Sequence, residues 1–256
     1  NFTKDGRRTI LSDNDISDIM ELLQKNSNNS ITISINEIAK NDYIINASRY
    51  LEKAPEIKDG VELASIVKSI TRGSQVKASY LDENRAGEPT PYRYIMISNI
   101  SDGDISFTDN QYLKDIQSNL KKYCIRNNSV LLTKTGSTDF KSAVVQVAEG
   151  MEILATGNMF ILEIDEKKAN PYYLQALFDS ELGRALFKSI YVGSVIPTIS
   201  LEKLRKLGIP LPSLEEQNII GEKYKEELER MADLKEKLST SREKLKKIYN
   251  IKNNME

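Results

Sequence analysis

The chain has 256 residues, a formal net charge of −1 and a mean hydropathy of −0.44, values typical of an ordinary globular protein. It contains one cysteine and no histidine, which excludes an internal disulfide and the usual zinc sites and disfavours hydrolytic mechanisms that depend on imidazole. The sequence has neither a long uncharged apolar run nor an export leader, so we expect a cytoplasmic protein without membrane contact.

Residues 1–52 have the pattern of short helices. Apolar residues recur at helical spacing after Ser12 and Asp13, either of which is a suitable helix cap. The alternation in ITISI, from Ile31, predicts a brief strand, and a short helical turn follows it up to Lys40. We therefore expect a small helical N-terminal tail.

Residues 53–213 have the pattern of an α+β domain. Short apolar runs of β type alternate with turn residues, which predicts a twisted, mixed and mainly antiparallel sheet. The runs are YRYIMISNI from Tyr92, SVLLTKTG up to Gly136, KSAVVQVAEG up to Gly150 and NMFILEI from Asn158. Two helices are predicted after them, one over NPYYLQALFDSELGRALFKSIY, which starts at Asn170 and Pro171, and one over SLEKLRKLG, capped by Ser200.

Residues 214–256 form the third predicted segment, a long charged helix. The sequence SLEEQ from Ser213 fits a capping box with Glu216, and the preceding Pro210 and Pro212 predict an extended link. At about 1.5 Å per residue the helix would reach roughly 57 Å, too far to bury its apolar stripe against a small domain. We expect the stripe to pair with another helix; it comprises Tyr224, Leu228, Met231, Leu234, Leu238, Leu245 and Ile248.

The segment GSVIPTISLEKLRKLGIPLPSLEEQ, from Gly193 to Gln217, resembles the end of a target-recognition domain in the DNA-specificity subunit of Type I restriction-modification enzymes. Further similar segments follow the order expected for that family, over roughly residues 55–256. They are LASIVKSITRG, PYRYIMISNISDGDI, SVLLTKTGSTDFKSAVV, ATGNMFIL and NPYYLQALFDS. The resemblance implies that the sheet domain reads bases in duplex DNA and that the long helix is a spacer that pairs with a second helix.

The N-terminal residues resemble a different component of the same systems. LSDNDISDIMELL and INEIAKNDYIINASRYL, which ends at Leu51, are similar to the C-terminal tail of the adenine-N6 DNA methyltransferase subunit. A methylase tail that runs directly into a specificity domain suggests a piece of a fused modification-and-specificity polypeptide.

Two polar stretches are the candidate DNA contacts. The first is TKTGSTDFK, at a strand end, and the second is the long stretch TRGSQVKASYLDENRAGEPTPYR; an ordinary hairpin connection or a disordered loop is the alternative interpretation of each. Lysine and arginine would contact phosphates, whereas polar side chains at loop tips would read base edges. The predicted contacts in these stretches are Arg72, Lys77, Arg85, Tyr92, Arg93, Lys134, Thr135, Ser137 and Lys141, and Ser194 near the domain edge is a further one.

No catalytic residue, metal site or cofactor is predicted for this chain. NPYY at 170–173 resembles the Asn-Pro-Pro-Tyr motif of adenine-N6 methylases, but Tyr172 replaces the second proline, and its place at a helix start favours a cap. The chain also lacks a glycine-rich turn for S-adenosylmethionine, which we expect only in an associated methyltransferase core. The expected partners are double-stranded DNA, that methyltransferase core or subunit, and a second specificity module.

Two alternatives remain open at this stage. The chain could be a protein-assembly module that joins a methylase complex through its long helix without reading DNA itself. It could also be an autonomous methyltransferase, which would bind S-adenosylmethionine. The first alternative predicts partner binding with little salt dependence, whereas DNA binding through several phosphates weakens steeply with salt.

Overall fold

The computed structural model describes residues 3–5, 8–10, 13–24, 30–40, 43, 45, 50, 55–135, 140–192 and 198–252. The chain forms two compact units, Asn1–Ala54 and Pro55–Glu256. In the described part of the chain, no helix is both long and apolar enough to cross a membrane.

The first unit combines a hairpin with two helices. Strands β1 (Thr3–Asp5) and β2 (Arg8–Ile10) pair antiparallel, and helices α1 (Asp13–Leu22) and α2 (Ile35–Lys40) follow them. The predicted helices are confirmed, but the hairpin was not predicted. The strand predicted at Ile31 is wrong, because residues 31–34 belong to no strand and Ser34 instead caps α2 by accepting the Glu37 N–H at 3.2 Å.

A four-stranded antiparallel sheet is the centre of the second unit. Its order is β10–β9–β12–β4, and its strands are β4 (Val67–Arg72), β9 (Ser129–Thr133), β10 (Ser142–Val145) and β12 (Met159–Ile164). Alternate side chains enter two different cores: Leu132 packs towards the helices, whereas Leu131 packs towards a second sheet. Because both faces are covered, β9 and β10 are buried along their whole length.

The second sheet has the order β11–β5–β8 and contains the parallel pair of the fold. Its strands are β5 (Tyr92–Ile95), β8 (Tyr112–Leu113) and β11 (Glu152–Ala155), of which β11 and β5 run parallel. Six shorter strands form two-stranded pairs, β3 with β15, β6 with β7 and β13 with β14. Their bounds are β3 (Val61–Glu62), β6 (Ile100–Ser101), β7 (Asp104–Ile105), β13 (Tyr191–Val192), β14 (Thr198–Ile199) and β15 (Gly208–Ile209). Helix α3 (Ala78–Glu83) lies between β4 and β5. The predicted α+β class with a mainly antiparallel, mixed sheet is confirmed.

The helical segment after the sheet is split in two at Ser180. Helix α4 (Pro171–Asp179) ends and α5 (Glu181–Ile190) begins at this residue, whose hydroxyl donates to Leu177 O at 2.6 Å and accepts the Gly183 N–H at 3.1 Å. A Cβ on Gly183 would lie 2.0 Å from Leu177 O, so the tight corner requires glycine. The single helix predicted from Asn170 is therefore wrong, since the serine caps a second helix inside it.

Helix α6 (Leu201–Arg205) and the proline link lead into helix α7 (Leu214–Lys252). Ser200 caps α6, as predicted, through the Lys203 N–H at 3.1 Å. The predicted capping box of α7 is also confirmed: Ser213 N–H donates to Glu216 Oε2 at 3.0 Å, and Glu216 N–H donates to Ser213 Oγ at 3.3 Å.

The first turns of α7 dock on α4 through polar contacts. Gln217 is 1% exposed and accepts the Asn170 N–H at 3.0 Å. Gly221 lies against the Asn170 side chain, and the Tyr224 hydroxyl donates to Asp179. These contacts recur at three- and four-residue spacing, which places them on one face of the helix.

Two further contacts follow along the same face. Leu228 packs against Gly103 in the turn between β6 and β7, and Lys235 forms an ion pair with Asp102 at 3.0 Å. The 17 residues from Glu236 to Lys252 extend for about 25 Å beyond that pair. The helix thus extends beyond the sheet domain, as the sequence predicts.

We expect Gly221→Ala to destabilise the protein by about 1–3 kcal/mol, because the new Cβ overpacks the joined helices. It would lie 2.6 Å from Asn170 Oδ1, the atom that caps α4. At an exposed helix position the same change would instead stabilise by about 1 kcal/mol. Urea unfolding measures the difference, with Ser239→Ala on the exposed part of α7 as the control. A stabilised Gly221→Ala variant would show that α7 does not dock here.

Candidate nucleic-acid interface

One end of the four-stranded sheet gathers polar side chains from several loops. Because the strands are antiparallel, β4 and β9 end there, while β10 and β12 begin there. Backbone hydrogen bonds join the loops: Lys134 N–H donates to Asn158 O at 2.7 Å, and Ile199 N–H donates to Lys134 O at 3.0 Å. We call this surface the sheet end; it comprises Arg72, Gln75, Lys134, Thr135, Asn158 and Thr198.

The turn after β4 is held tightly against the turn before β12. Gly157 has a φ of +74° and donates its N–H to Ser74 O at 2.9 Å, while Gln75 Nε2 donates to Gly157 O at 3.1 Å. A Cβ on Gly73 would lie 3.2 Å from Gly157 O, so the two backbones approach closely. The polar side chains therefore project from a rigid backbone.

The sheet end can bind an anion and read hydrogen-bonding edges. Of its two cations, Arg72 is exposed and Lys134 is half-buried, and Lys77, two residues after Gln75, is also exposed. Among the residues that the structure describes, no carboxylate forms an ion pair with any of these three side chains. Such unpaired cations suit phosphate oxygens, and the nearby amides of Gln75 and Asn158 suit base edges.

Lys141 lies close to the sheet end but has a different contact. Its Nζ donates to Ile100 O in β6 at 2.9 Å, so its ammonium group points towards the turn that α7 contacts. Its backbone N–H donates to Thr133 Oγ1 at 3.0 Å, which holds the two strands together. A role of Lys141 in DNA contact would require its side chain to leave Ile100.

Three predicted contacts lie on the second sheet, at the far end of β5. The Arg85 guanidinium pairs with Asp82 at 2.6 Å, and Tyr92 is half-buried among apolar side chains. Arg93 stacks on the Tyr112 ring at 3.9 Å and also lies near Phe107. The structure therefore does not bring these three residues to the sheet end, and their contact with DNA stays a prediction.

Two other predicted residues, Ser137 and Ser194, lie outside the described residues. Sequence reasoning missed Asn158, which is exposed beside Lys134. The turn signal Thr156-Gly157-Asn158, between two apolar runs, could have indicated that this side chain stands at a loop tip.

The predicted pairing stripe of α7 divides into two parts. Leu228 is partly buried against the β6–β7 turn, together with Tyr224. The remaining predicted residues are exposed by 40–67%, and they are Met231, Leu234, Leu238, Leu245 and Ile248. We call these five residues the exposed stripe.

The residues that could take part in catalysis or metal binding have structural explanations. Asn170 Oδ1 accepts the N–H groups of Tyr172 and Tyr173 at 2.8 and 3.1 Å, so the predicted helix cap is confirmed. Burial raises the pKa of Cys124 to about 11, which keeps the thiol protonated at neutral pH. Within the described ranges, no group of three or more His, Cys, Asp or Glu residues could hold a metal ion.

Comparison with known proteins identifies the class. Residues 55–241 match the family described as Type I restriction modification DNA specificity domain. Since this match covers most of the chain, the chain belongs to that family, and the resemblance of its second unit to specificity subunits is confirmed.

The chain is also similar to individual proteins. A protein named as the MjaX specificity subunit of a type I restriction enzyme, from Methanocaldococcus jannaschii, is 31% identical over 170 residues, which are 65% of this chain and 38% of that protein. The S subunit of a Type-I restriction-modification system from M. genitalium superposes with a TM-score of 0.48 at 14% identity, covering 74% of this chain and 45% of that chain. HsdS from Thermoanaerobacter tengcongensis gives a TM-score of 0.43 at 16% identity, covering 78% and 46%. The chain thus spans about two fifths to one half of the length of these relatives.

Proposed function

We propose that residues 55–252 form one DNA target-recognition module, which reads a short duplex sequence at the sheet end. The observation that carries the proposal is the sheet end itself, where Arg72 and Lys134 accompany Gln75, Thr135 and Asn158 on a rigid backbone. Membership of a DNA specificity family supports the same conclusion.

The two kinds of side chain have separate tasks in this proposal. Arg72 and Lys134 contact phosphates and hold the register on the duplex, a contribution that does not depend on sequence. Asn158 offers both a donor and an acceptor, which is the combination that reads adenine in the major groove, and Gln75 offers its Oε1 and its second Nε2 hydrogen, because the first donates to Gly157 O. Recognition thus comes from the amides, and most of the affinity comes from the cations.

The module is proposed to act in pairs through α7. The exposed stripe has residues at 231, 234, 238, 245 and 248, and its steps of three, four and seven residues suit packing against another helix. Because these apolar side chains are exposed and find no partner among the described residues, we propose that a second specificity module supplies this helix. Two paired modules would then read two half-sites at a distance set by the helices.

The chemistry is proposed to lie in a partner. We propose that the chain is the noncatalytic specificity part of a complex and positions an adenine-N6 methyltransferase, which binds S-adenosylmethionine, on its target. The resemblance of residues 1–52 to a methyltransferase tail supports this assignment and suggests a fused polypeptide.

Selection from random duplexes tests the proposal. The chain, joined to its methyltransferase partner, is expected to enrich one short motif, and binding to that motif should weaken steeply with salt. If a folded sample enriches no motif while the partner still binds at high salt, the chain is an assembly module, as in the first alternative. Saturable binding of S-adenosylmethionine to the isolated chain in calorimetry would favour an autonomous methyltransferase.

A further inference from the structure

A buried polar cluster connects the long helix to the central sheet. Asp179, the last residue of α4, accepts a hydrogen bond from the Tyr224 hydroxyl of α7 and another from Ser142 Oγ of β10 at 2.8 Å. Ser142 is 2% exposed and Gln175, one turn earlier on α4, is 0% exposed. We call Ser142, Gln175, Asp179 and Tyr224 the joint.

Gln175 ties three elements together inside the joint. Its Oε1 accepts the Val144 N–H of β10 at 3.0 Å, and its Nε2 donates to Gly103 O at 2.6 Å. Gly103 has a φ of +75° in the β6–β7 turn, against which Leu228 of α7 packs. The amide of Gln175 thus fixes the surface on which the helix rests.

The joint continues directly into the sheet end. Ser142 follows Lys141, whose carbonyl accepts the Thr133 N–H at 2.9 Å, and Thr133 immediately precedes Lys134. The Lys141 ammonium adds a second connection, because it donates to Ile100 O in the strand that leads to the β6–β7 turn. Two hydrogen-bonded routes therefore run from the proposed DNA-reading surface to α7.

The protonation states of Asp179 and Tyr224 favour the hydrogen bonds of the joint. Burial raises the pKa of Asp179, and the hydroxyls of Tyr224 and Ser142 oppose that shift by donating to the carboxylate. Burial, followed by the contact with Asp179, raises the pKa of the Tyr224 phenol, so it remains a donor. Removing one partner would leave a buried polar group without its hydrogen bond. The loss of an apolar contact leaves no such group.

We propose that Gln175, Asp179 and Tyr224 are positioning residues that fix the direction of α7 relative to the sheet end, and thereby set the distance between two half-sites. This inference rests on the proposed function. From Tyr224 to Lys252 the helix extends for about 42 Å, so a tilt of about 10° at the joint displaces its tip by about 7 Å, or roughly two base-pair steps. A fixed spacing therefore requires a stiff joint.

Distances between two spin labels test the stiffness of the joint. With Cys124 replaced by serine, labels are attached to cysteines at Glu88 and Lys244, and labelled chains are diluted with unlabelled protein. The parent protein should give one narrow distance distribution. Tyr224→Phe and Gln175→Leu should broaden it, whereas Asp179→Asn should keep it narrow because an amide oxygen still accepts the Tyr224 hydroxyl.

Tyr123→Phe is the matched control, since it removes a phenol hydroxyl in the 3-10 turn Lys121–Tyr123, which packs against the second sheet. Unchanged distributions in Tyr224→Phe and Gln175→Leu, with both variants folded by circular dichroism, would overturn the inference. A Tyr123→Phe variant that broadens the distribution as much as Tyr224→Phe would also overturn it, since the effect would then not be specific to the joint.

Selection with duplexes of varied half-site separation gives a second readout. Tyr224→Phe should keep the same half-site bases but accept separations that differ from the parent's by one base pair or more. An unchanged separation preference would contradict the inference. If the parent enriches no motif at all, the proposed function fails, whereas the label distances still decide whether the joint holds the helix.

Discussion

Replacing Arg72 and Lys134 together with alanine should weaken binding to the selected duplex by about 100-fold, because two charge-assisted contacts of about 1.5 kcal/mol each are lost. Both cations lie at the sheet end, and in the described part of the chain neither is paired with a carboxylate. The slope of log affinity against log salt should also become shallower by about 1.8, since each phosphate contact contributes about 0.9. Fluorescence anisotropy at several salt concentrations measures both quantities.

The double variant Lys58→Ala with Lys167→Ala is the matched control. Both lysines are exposed: Lys167 follows β12 at the opposite end of the sheet, where Asp165 N–H donates to Ile66 O at 3.0 Å, and Lys58 lies in the turn before β3. This control removes the same net charge, yet we expect little change in affinity or salt slope. Equal losses in the two double variants would mean that only total charge matters, and the sheet end would lose its assignment.

Leu238→Asp should separate the paired helices and raise the dissociation constant of self-association by at least about 100-fold. Leu238 lies in the middle of the exposed stripe and is 52% exposed in the single chain. An aspartate there would have to bury a charge against the partner helix, and the pair contains this change twice. Sedimentation equilibrium measures the mass in solution.

Thr240→Asp serves as the control for that experiment. It adds the same charge two residues further along α7, on a different side of the helix from the exposed stripe. Its mass in solution should equal that of the parent protein. A Leu238→Asp variant that keeps the parent's mass would remove the stripe from the pairing surface.

Local sequence signals predicted much of the fold correctly. The Ser213–Glu216 capping box, the Ser200 cap and the Asn170 cap are all present, because such contacts depend on residues within three positions of each other. The break at Ser180 was missed since helical periodicity continues through it. Only the close approach of Gly183 to Leu177 reveals the corner, and that approach depends on tertiary packing.

The candidate site was predictable only in part. Lys134 and Thr135 follow a buried strand, so their position at a strand end could be inferred from the sequence. Arg93 belongs to an equally polar stretch, but its guanidinium stacks on the Tyr112 ring and lies near Phe107. Lys134 and Arg93 lie in different places because their strands end in different parts of the fold. Strand pairing decides which strand ends meet, and it is not a local property of the sequence.

The joint illustrates the same limit for the long helix. Periodicity placed Tyr224 and Leu228 in one stripe with Leu238, because a repeat of three and four residues does not distinguish two partners. In the structure the first two contact the sheet domain, whereas Leu238 remains exposed. The sequence pattern thus describes one continuous face, of which the first part contacts the sheet domain and the rest is exposed.

Site-directed cleavage of bound DNA tests most directly whether the sheet end lies on the duplex. With Cys124 replaced by serine, an iron chelate that generates hydroxyl radicals is tethered to a cysteine at Asn158 or, in a second variant, at Lys167. The chelate at 158 should cut within the selected half-site, and the chelate at 167, at the opposite end of the sheet, should leave it intact. Cleavage of the half-site from 167 and none from 158 would contradict the account.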